Sequence, residues 1–236
     1  MESFRSVACR FNVSKSTCWD VLKRTSRRLL EVNRLYGIIR WPTEHEGLQT
    51  MRMFELRSQI PVAPKKFADS YVNRKKFHSV LLQGVCNEKK LFLDVYASGR
   101  GSIHDSNLYN KSHLAEQIRN REVIFYNDGH LVGDLSYKLS PTLMVGFKNF
   151  GNMTEREINL NKRLSMCRID IENAFALLKS RFRRLKFIET IRLDLISAFI
   201  VTAAILHNAC ILNNDLPHDL VNVVAEMQAK RGNDIL

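Results

Sequence analysis

Apolar residues recur at intervals of three or four between residues 155 and 186, and this spacing predicts one long helix. The apolar stripe contains seven positions, namely Leu164, Cys167, Ile171, Phe175, Leu178, Phe182 and Leu185. Because a continuous apolar stripe must be covered, we expect this helix to pack on a sheet. The segment from Leu193 to Leu212 is apolar nearly all round and predicts a buried helix.

Two apolar runs, residues 77–86 and 91–96, flank the polar residues 87–90, and this pattern predicts a β-hairpin. A polar-faced helix is predicted over 106–120 and a third strand over 123–126. Strands followed by long helices predict an α+β or a mixed α/β fold of packed layers, and we expect the α/β class.

The first forty residues have a helical pattern of their own. Phe4, Val7, Ala8 and Phe11 repeat at helical spacing, a turn follows, and Ser14 can cap a second helix. Two short helices with a tight turn predict a helix-turn-helix, whose second helix would enter the major groove of DNA. Its outward residues would be Lys15, Ser16, Thr17, Asp20, Lys23 and Arg24. The alternative is an ordinary helical hairpin with a solvated polar face.

The change in composition after this segment predicts a division of the chain. The stretch with Pro42 and Gly47 is polar and typical of a connector. The tail after residue 212 is weakly patterned and is expected to fray. We therefore expect a basic helix-turn-helix segment, a linker, an α/β domain and a tail, at residues 1–40, 41–53, 54–212 and 213–236.

The net charge of the chain indicates which class of binding partner to expect. The chain of 236 residues has 36 Lys and Arg against 24 Asp and Glu, a formal net charge of +12. Nine of those basic residues and three of the acids lie in the first forty positions, so half of the excess is at that end. Such an excess favours a polyanion, with nucleic acid ahead of a membrane surface.

The spacing of the cysteines and the hydropathy of the chain indicate the cellular compartment in which the protein is expected. The five cysteines are scattered without the close spacing of zinc sites or disulfide frameworks, which indicates a reducing environment. We expect no signal peptide, and no membrane span because Ser197 and Thr202 interrupt the longest apolar stretch.

Five motifs in order resemble the DDE superfamily endonucleases of Harbinger-type transposons and the nucleases derived from them. They read Ser-Tyr-Val-Asn-Arg-Lys at 70–75, Gly-Ser-Ile-His-Asp at 101–105, Leu-Val-Gly-Asp-Leu-Ser-Tyr at 131–137, Ile-Glu-Asn-Ala-Phe-Ala-Leu-Leu-Lys at 171–179, and Ala-Ile-Leu-His-Asn at 204–208. The resemblance covers about residues 54–212 and implies an RNase H-like mixed sheet flanked by helices.

The resemblance also implies a site. Matched motif by motif, the metal ligands and catalytic carboxylates of the family fall on Asp105, Asp134 and Glu172. Two Mg²⁺ or Mn²⁺ ions held there would activate the attacking oxygen and stabilise the leaving oxygen during phosphodiester cleavage.

Each of these residues has a simpler alternative. Asp134 follows a glycine after a strand-like segment, yet Gly-Asp is also an ordinary turn. Asp105 could cap the helix that starts near Ser106. Glu172 lies four residues after Arg168, where an ion pair along the helix is the simpler account.

Further basic residues are candidates for DNA contacts. Arg74 and Lys75 precede the first hairpin strand, and Lys179 and Arg183 follow Glu172 near the end of its helix. A solvated strand entry and a solvated helix face are the alternatives. His207, in an apolar helix, is expected to be a core histidine and not a ligand.

The sequence departs from the family at the first catalytic aspartate. The family carries an Ile-Asp-Gly-Thr-His motif on the opening strand, and that motif is absent from residues 54–64. One alignment places Glu55 at the aspartate position and another places Leu56 there. A displaced or missing carboxylate predicts attenuated activity.

We therefore expect a transposase-derived, divalent-metal-dependent nuclease acting on double-stranded DNA in the nucleus, with the cytoplasm as a second location. A separate DNA-binding protein is an expected partner, and no membrane is. The alternative is a catalytically dead DNA-binding module that retains the fold. A third, more remote hypothesis is an RNA-binding protein.

Overall fold

The structure is a computed structural model that describes residues 4–58, 66–67, 80–98, 105–186 and 193–215. The helices in chain order are α1 Phe4–Arg10, α2 Lys15–Tyr36, α3 Glu44–Ser58, α4 Asp105–Asn110, α5 His113–Arg119, α6 Glu155–Arg181 and α7 Leu193–Leu212. The strands are β1 Lys66–Phe67, β2 Leu81–Cys86, β3 Phe92–Ser98, β4 Leu131–Val132 and β5 Leu143–Met144.

The five strands form one mixed sheet in the order β3-β2-β1-β4-β5. Strand β2 runs antiparallel to both of its neighbours, β3 and β1, whereas β4 and β5 run parallel to β1. The predicted hairpin is confirmed as β2 and β3, although residues 77–79 lie outside the described part of the chain. Its turn is stabilised by the Asn87 side chain, which accepts hydrogen bonds from the backbone of Lys89 and Leu91.

Helices cover both faces of the sheet. Successive strand residues point to opposite faces, and Val85 and Cys86 accordingly belong to different cores. Cys86 packs with Phe175 of α6 and Ala204 of α7, whereas Val85 packs with Leu114 of α5. The mixed α/β class and the packing of α6 on the sheet are thus confirmed.

Helix α6 begins at a capping box. The Thr154 hydroxyl accepts from the Glu157 backbone, and the Glu157 carboxylate accepts from the Thr154 backbone at 2.7 Å. The helix continues for 27 residues to Arg181, and a short 3₁₀ turn then covers Arg183–Lys186. The predicted single helix to residue 186 is therefore correct except for its last turn.

Helix α7 is predicted to be buried, and half of the residues in Leu195–Leu212 are buried while nearly all the others are half-buried. Its Asn208 fixes the start of β3. The Asn208 side chain accepts from Phe92 N at 2.8 Å and donates to Phe92 O at 2.7 Å and to Ile38 O at 3.0 Å. His207 is a core histidine, as expected, and its Nε2 donates to the Lys90 carbonyl. Burial lowers the pKa of His207 to about 4, so its ring is neutral at physiological pH.

By length and hydropathy, Leu195–Leu212 of α7 could cross a membrane, and half of that window is buried inside the protein. A buried core helix passes the same test, so this finding alone is weak evidence for a membrane span.

At the N-terminal end, α1, the turn and the Ser14 cap are observed where the sequence predicts them. Thr17 N donates to Ser14 Oγ at 3.0 Å. The second helix is longer than the short helix predicted, because α2 continues for 22 residues and packs on α7, with Trp19 edge-to-face against Phe199 at 5.6 Å. The division into domains stays a prediction, but contacts including Asn208 to Ile38 cross the predicted boundary.

The expected connector and opening strand are instead largely helix α3. The backbone and hydroxyl of Thr43 donate to the Glu46 carboxylate at 2.8 and 2.9 Å, which begins the helix. Phe54 is buried against Val132, Leu164 and Cys167, which fixes the helix on the body of the protein. The sequence pattern failed here because a single buried phenylalanine does not make a helical stripe.

Two further predictions need correction. The expected helix over 106–120 is interrupted at Ser112, which donates to Tyr109 O and caps α5 by accepting from Ala115 N. The third strand expected over 123–126 is wrong, because Tyr126 O accepts from Gly129 N in a turn and the strand forms only at β4. Asn127 and Asp128 adopt left-handed φ values of 46° and 54° in that turn.

We predict that Asn208→Ala lowers the free energy of unfolding by about 3 kcal/mol, because it leaves buried backbone groups of Phe92 without partners. Urea denaturation measures this. Asn213→Ala is the matched control, because its side chain makes one exposed hydrogen bond to Ala209 O. Equal losses in the free energy of unfolding in the two variants would contradict the stabilising role of the Asn208 side chain.

Candidate active site

The three predicted carboxylates are positioned by three different elements. Asp134 follows β4 after Gly133, as the sequence predicted, and its carbonyl also accepts from Tyr137 N in a turn. Glu172 lies within α6, and Asp105 is the first residue of α4. The side chain of Asp105 lies outside what the structure describes.

Gly133 brings Asp134 close to the neighbouring strand. A Cβ at this glycine would lie 2.9 Å from Leu143 Cδ1, so a larger residue would require the buried Leu143 side chain to move. Helix α6 contacts both β1 and β4. The packing of the sheet therefore determines how far Asp134 lies from α6.

Asp134 and Glu172 converge on one guanidinium group. Arg168 Nη1 lies 3.4 Å from Asp134 Oδ1, and Arg168 Nη2 lies 3.8 Å from Glu172 Oε1. The side chains of Asp134, Arg168 and Glu172 are 32%, 21% and 20% exposed, so the cluster is half-buried but reachable from solvent. The structure therefore brings two of the three predicted residues together around a shared cation.

The ion pair between Arg168 and Glu172, which the sequence suggested as the simpler alternative for Glu172, is present. Arg168 and Glu172 are one turn apart on α6, the spacing at which opposite charges meet. The same arginine also reaches Asp134 on a different element. The ion pair and the carboxylate cluster are thus one feature, and the pair does not remove Glu172 from the site.

The donor chemistry of this cluster fits a divalent cation. Mg²⁺ and Mn²⁺ prefer carboxylate oxygens, and Asp134 and Glu172 already supply such oxygens to one positive group. Within the described residues, no group of three or more His, Cys, Asp or Glu side chains is arranged for a metal ion. A further ligand must come from Asp105 or from solvent and substrate.

A second acid on α6, Asp170, has a different environment and was missed by sequence reasoning. Its carboxylate is buried and accepts two hydrogen bonds from Arg57 Nη1, at 2.8 and 2.6 Å, while Lys90 Nζ lies 3.9 Å away. Asp170 thus ties α3 and the β2–β3 turn to α6. Its position three residues after Cys167, within the apolar stripe, was the available signal.

The structure places Glu55 and Leu56 on helix α3 and not on an opening strand. Both side chains are exposed, and Leu56 is 69% accessible to solvent. Their neighbours Phe54 and Arg57 are the residues that contact the rest of the protein. The expectation that one of the two stands at the strand position of the missing aspartate is therefore not supported by their location.

A buried polar pair lies on the sheet face that α5 covers. Asp94 pairs with Val85 and Tyr96 pairs with Gln83, so Asp94 and Gln83 are diagonal neighbours on one face. Within the described part of the chain, neither Asp94 Oδ2 nor the Gln83 amide has a hydrogen-bond partner. Burial raises the pKa of Asp94 to about 6, partly offset by the charge of His113.

The predicted DNA-contact residues differ in accessibility. Lys15, Ser16, Thr17 and Arg24 are exposed on α2, and Lys23 is half-buried. Arg183 is exposed, whereas Lys179 packs its ammonium 5.7 Å from the Phe175 ring. Arg74 and Lys75 lie outside the described residues.

The chain belongs to the DDE superfamily endonucleases, because the profile of that family matches residues 52–208. This confirms the resemblance inferred from the five motifs.

Two curated relatives carry the name "Putative nuclease HARBI1". The protein from Homo sapiens is 32% identical over 166 residues, which cover 64% of this chain and 46% of the relative. The protein from Bos taurus is 33% identical over 121 residues, which cover 51% of this chain and 33% of the relative. The chain thus spans less than half the length of these relatives. No solved structure matches it.

We predict that the native protein becomes less stable as pH rises from 4 to 7. The variant Asp94→Asn should not show this loss of stability. The folded state holds the Asp94 proton up to about pH 6, whereas the unfolded chain releases it near its ordinary value of 3.8. The stability of the protonated form is therefore lost as pH rises through this window, by up to about 3 kcal/mol. Asparagine cannot ionise.

Urea denaturation at a series of pH values measures this difference, with Asp128→Asn as the control because Asp128 is exposed. Parallel stability profiles for the native protein and Asp94→Asn would show that Asp94 is not protonated preferentially in the fold.

Proposed function

We propose that the chain is a divalent-metal-dependent nuclease that acts on double-stranded DNA through Asp134, Glu172 and Asp105. The observation that carries this proposal is the convergence of Asp134 and Glu172 on Arg168. Membership of the DDE endonuclease family supplies the reaction class.

The sheet supports an RNase H-like interpretation of the fold. Its antiparallel hairpin edge, central β1 and parallel β4 and β5 place a strand end at Asp134, and α6 lies beside it. In this arrangement a helix carboxylate and a strand-end carboxylate meet although 38 residues separate them in the chain. Asp105, at the start of α4, is the proposed third ligand.

When bound, divalent ions would activate the attacking water or hydroxyl and stabilise the leaving oxygen of a phosphodiester. Asp134 and Glu172 would hold such an ion through their oxygens. Arg168 offsets part of the charge of the two carboxylates and keeps them near one another until an ion displaces it. Its half-buried position keeps bulk water from part of the cluster while leaving it open to a phosphate.

Double-stranded DNA is the proposed substrate because the chain has a net charge of +12 and exposes basic residues on α2. Lys15 and Arg24 would contact phosphates or groove edges, with Ser16 and Thr17 beside them. A nuclear location and a separate DNA-binding partner protein follow from that substrate as proposals. Attenuated cleavage is also proposed, because Glu55 lies exposed on α3.

A catalytically dead DNA-binding module is the second candidate function. The specific observation in its favour is that Arg168 pairs with both Asp134 and Glu172, which reduces their mutual repulsion without a metal ion. Salt-sensitive binding of DNA without cleavage would distinguish this candidate.

Plasmid nicking in Mg²⁺ or Mn²⁺ tests the proposal. We predict metal-dependent nicking by the native chain and a loss of at least about 100-fold in Asp134→Asn and in Glu172→Gln, because each removes one charged oxygen ligand. Asp128→Asn and Glu155→Gln are matched controls on exposed residues of the same two regions. Absence of nicking by every protein, with DNA binding intact, would support the dead module.

We predict that Arg168→Gln raises the affinity for Mn²⁺ by about tenfold, because the guanidinium and the metal ion compete for the same two carboxylates. Without metal, the variant should be slightly less stable than the native chain, since the two carboxylates then repel. The measurement is the increase in melting temperature with Mn²⁺ concentration. Arg163→Gln, elsewhere on α6, is the control. If Mn²⁺ raised the melting temperature equally in both variants, Arg168 would not compete with the metal ion.

A further inference from the structure

The segment between β5 and α6 exposes two aromatic rings. Phe150 is 83% exposed and Phe147 is 45% exposed, with Lys148 between them in the sequence. We name residues 145–153 the phenylalanine loop. Two solvent-exposed phenyl rings in one short loop contribute little to the core and are available for contact with a ligand.

The phenylalanine loop is held in a fixed conformation. The Asn161 side chain of α6 accepts from Phe147 N at 2.8 Å and donates to Phe147 O at 2.9 Å. Asn149 Oδ1 accepts from Gly151 N at 2.8 Å, and Gly151 has a φ of 98° that favours glycine. The backbone therefore presents the rings to solvent in a prearranged way.

The loop begins beside the carboxylate cluster. A Cβ built on Gly146 would lie 3.5 Å from Leu135 Cδ2, and Leu135 is the residue after Asp134. The same Cβ would lie 2.5 Å from Asn161 Oδ1, so a side chain at this position would require Asn161 to move. Gly146, the residue before Phe147, thus lies against the residue that follows Asp134 in the chain.

The charged residues of the loop and of the first turns of α6 fit a polyanion. Lys148, Arg156 and Lys162 are exposed, against the exposed Glu155, while the Glu157 carboxylate is engaged with Thr154. A purely apolar partner would not require this basic surround. Aromatic rings that alternate with cations match the faces of nucleobases and their phosphates.

We propose that the phenylalanine loop stacks an unpaired nucleobase of DNA beside the cleavage site. In intact duplex both faces of each base are covered, so the ligand is a base in a single-stranded gap or one extruded from the helix. Phe150 would supply the stacking face, Phe147 a second apolar contact and Lys148 the phosphate contact. This inference rests on the proposed function, because it takes DNA as the substrate at Asp134.

Fluorescence anisotropy with metal-free protein and two oligonucleotides tests the proposal. One probe is an intact duplex, and the other is the same duplex with a short single-stranded gap. We predict that the native chain binds the gapped probe about tenfold more tightly and that Phe150→Leu loses this preference. Binding of the intact duplex should not change in Phe150→Leu, since leucine keeps an apolar side chain but has no ring.

Two further variants sharpen the test. Phe150→Trp should retain the preference, and its indole fluorescence should be quenched by the gapped probe and not by the intact duplex. Tyr36→Leu, at a 77% exposed aromatic residue at the end of α2, is the control and should keep the native preference.

The outcomes separate this inference from the proposed function. If the native chain binds neither probe, both the proposed function and this inference fail. Equal binding of both probes by the native chain and Phe150→Leu would overturn the stacking role and leave the nuclease proposal intact. Light scattering could show that the native chain is a dimer and that Phe150→Leu is a monomer. This result would mean that the loop binds a second copy of the chain, and it would overturn the stacking role.

Discussion

The guanidinium of Arg168 holds the carboxylates of Asp134 and Glu172 at one place, and the site depends on that contact. Two half-buried carboxylates repel unless a positive group lies between them. Arg168 and Glu172 are on the same helix, so only the docking of α6 on the sheet brings Asp134 into reach. The apolar stripe of α6, packed with Cys86 and Phe92, is therefore also what assembles the site.

The balance of charge at this cluster connects the two candidate functions. One guanidinium supplies a single positive charge to two carboxylates, so a divalent ion at the same place would attract them more strongly. The same arginine keeps the cluster folded when no ion is bound. An ancestral nuclease and a DNA-binding descendant could thus share one structure and differ in whether the ion displaces Arg168.

The sequence predicted the elements whose signals are periodic. The stripe of α6, the uniform apolarity of α7, the hairpin around Asn87 and the Ser14 cap all depend on local patterns, and the structure confirms them. Helix α3 was missed because its stability rests on Thr43, Phe54 and the Arg57 to Asp170 pair, which have no local period. The convergence of Asp134 and Glu172 could be inferred only through the family resemblance, since no spacing rule relates residues so far apart.

Manganese binding followed by electron paramagnetic resonance tests most directly whether Asp134 and Glu172 hold one ion. The measurement compares the native chain, Asp134→Asn, Glu172→Gln and the double variant. If the two carboxylates share an ion, each single variant loses the bound Mn²⁺ signal and the double variant loses no more. Native affinity in both single variants, or no binding by the native chain, would contradict the account.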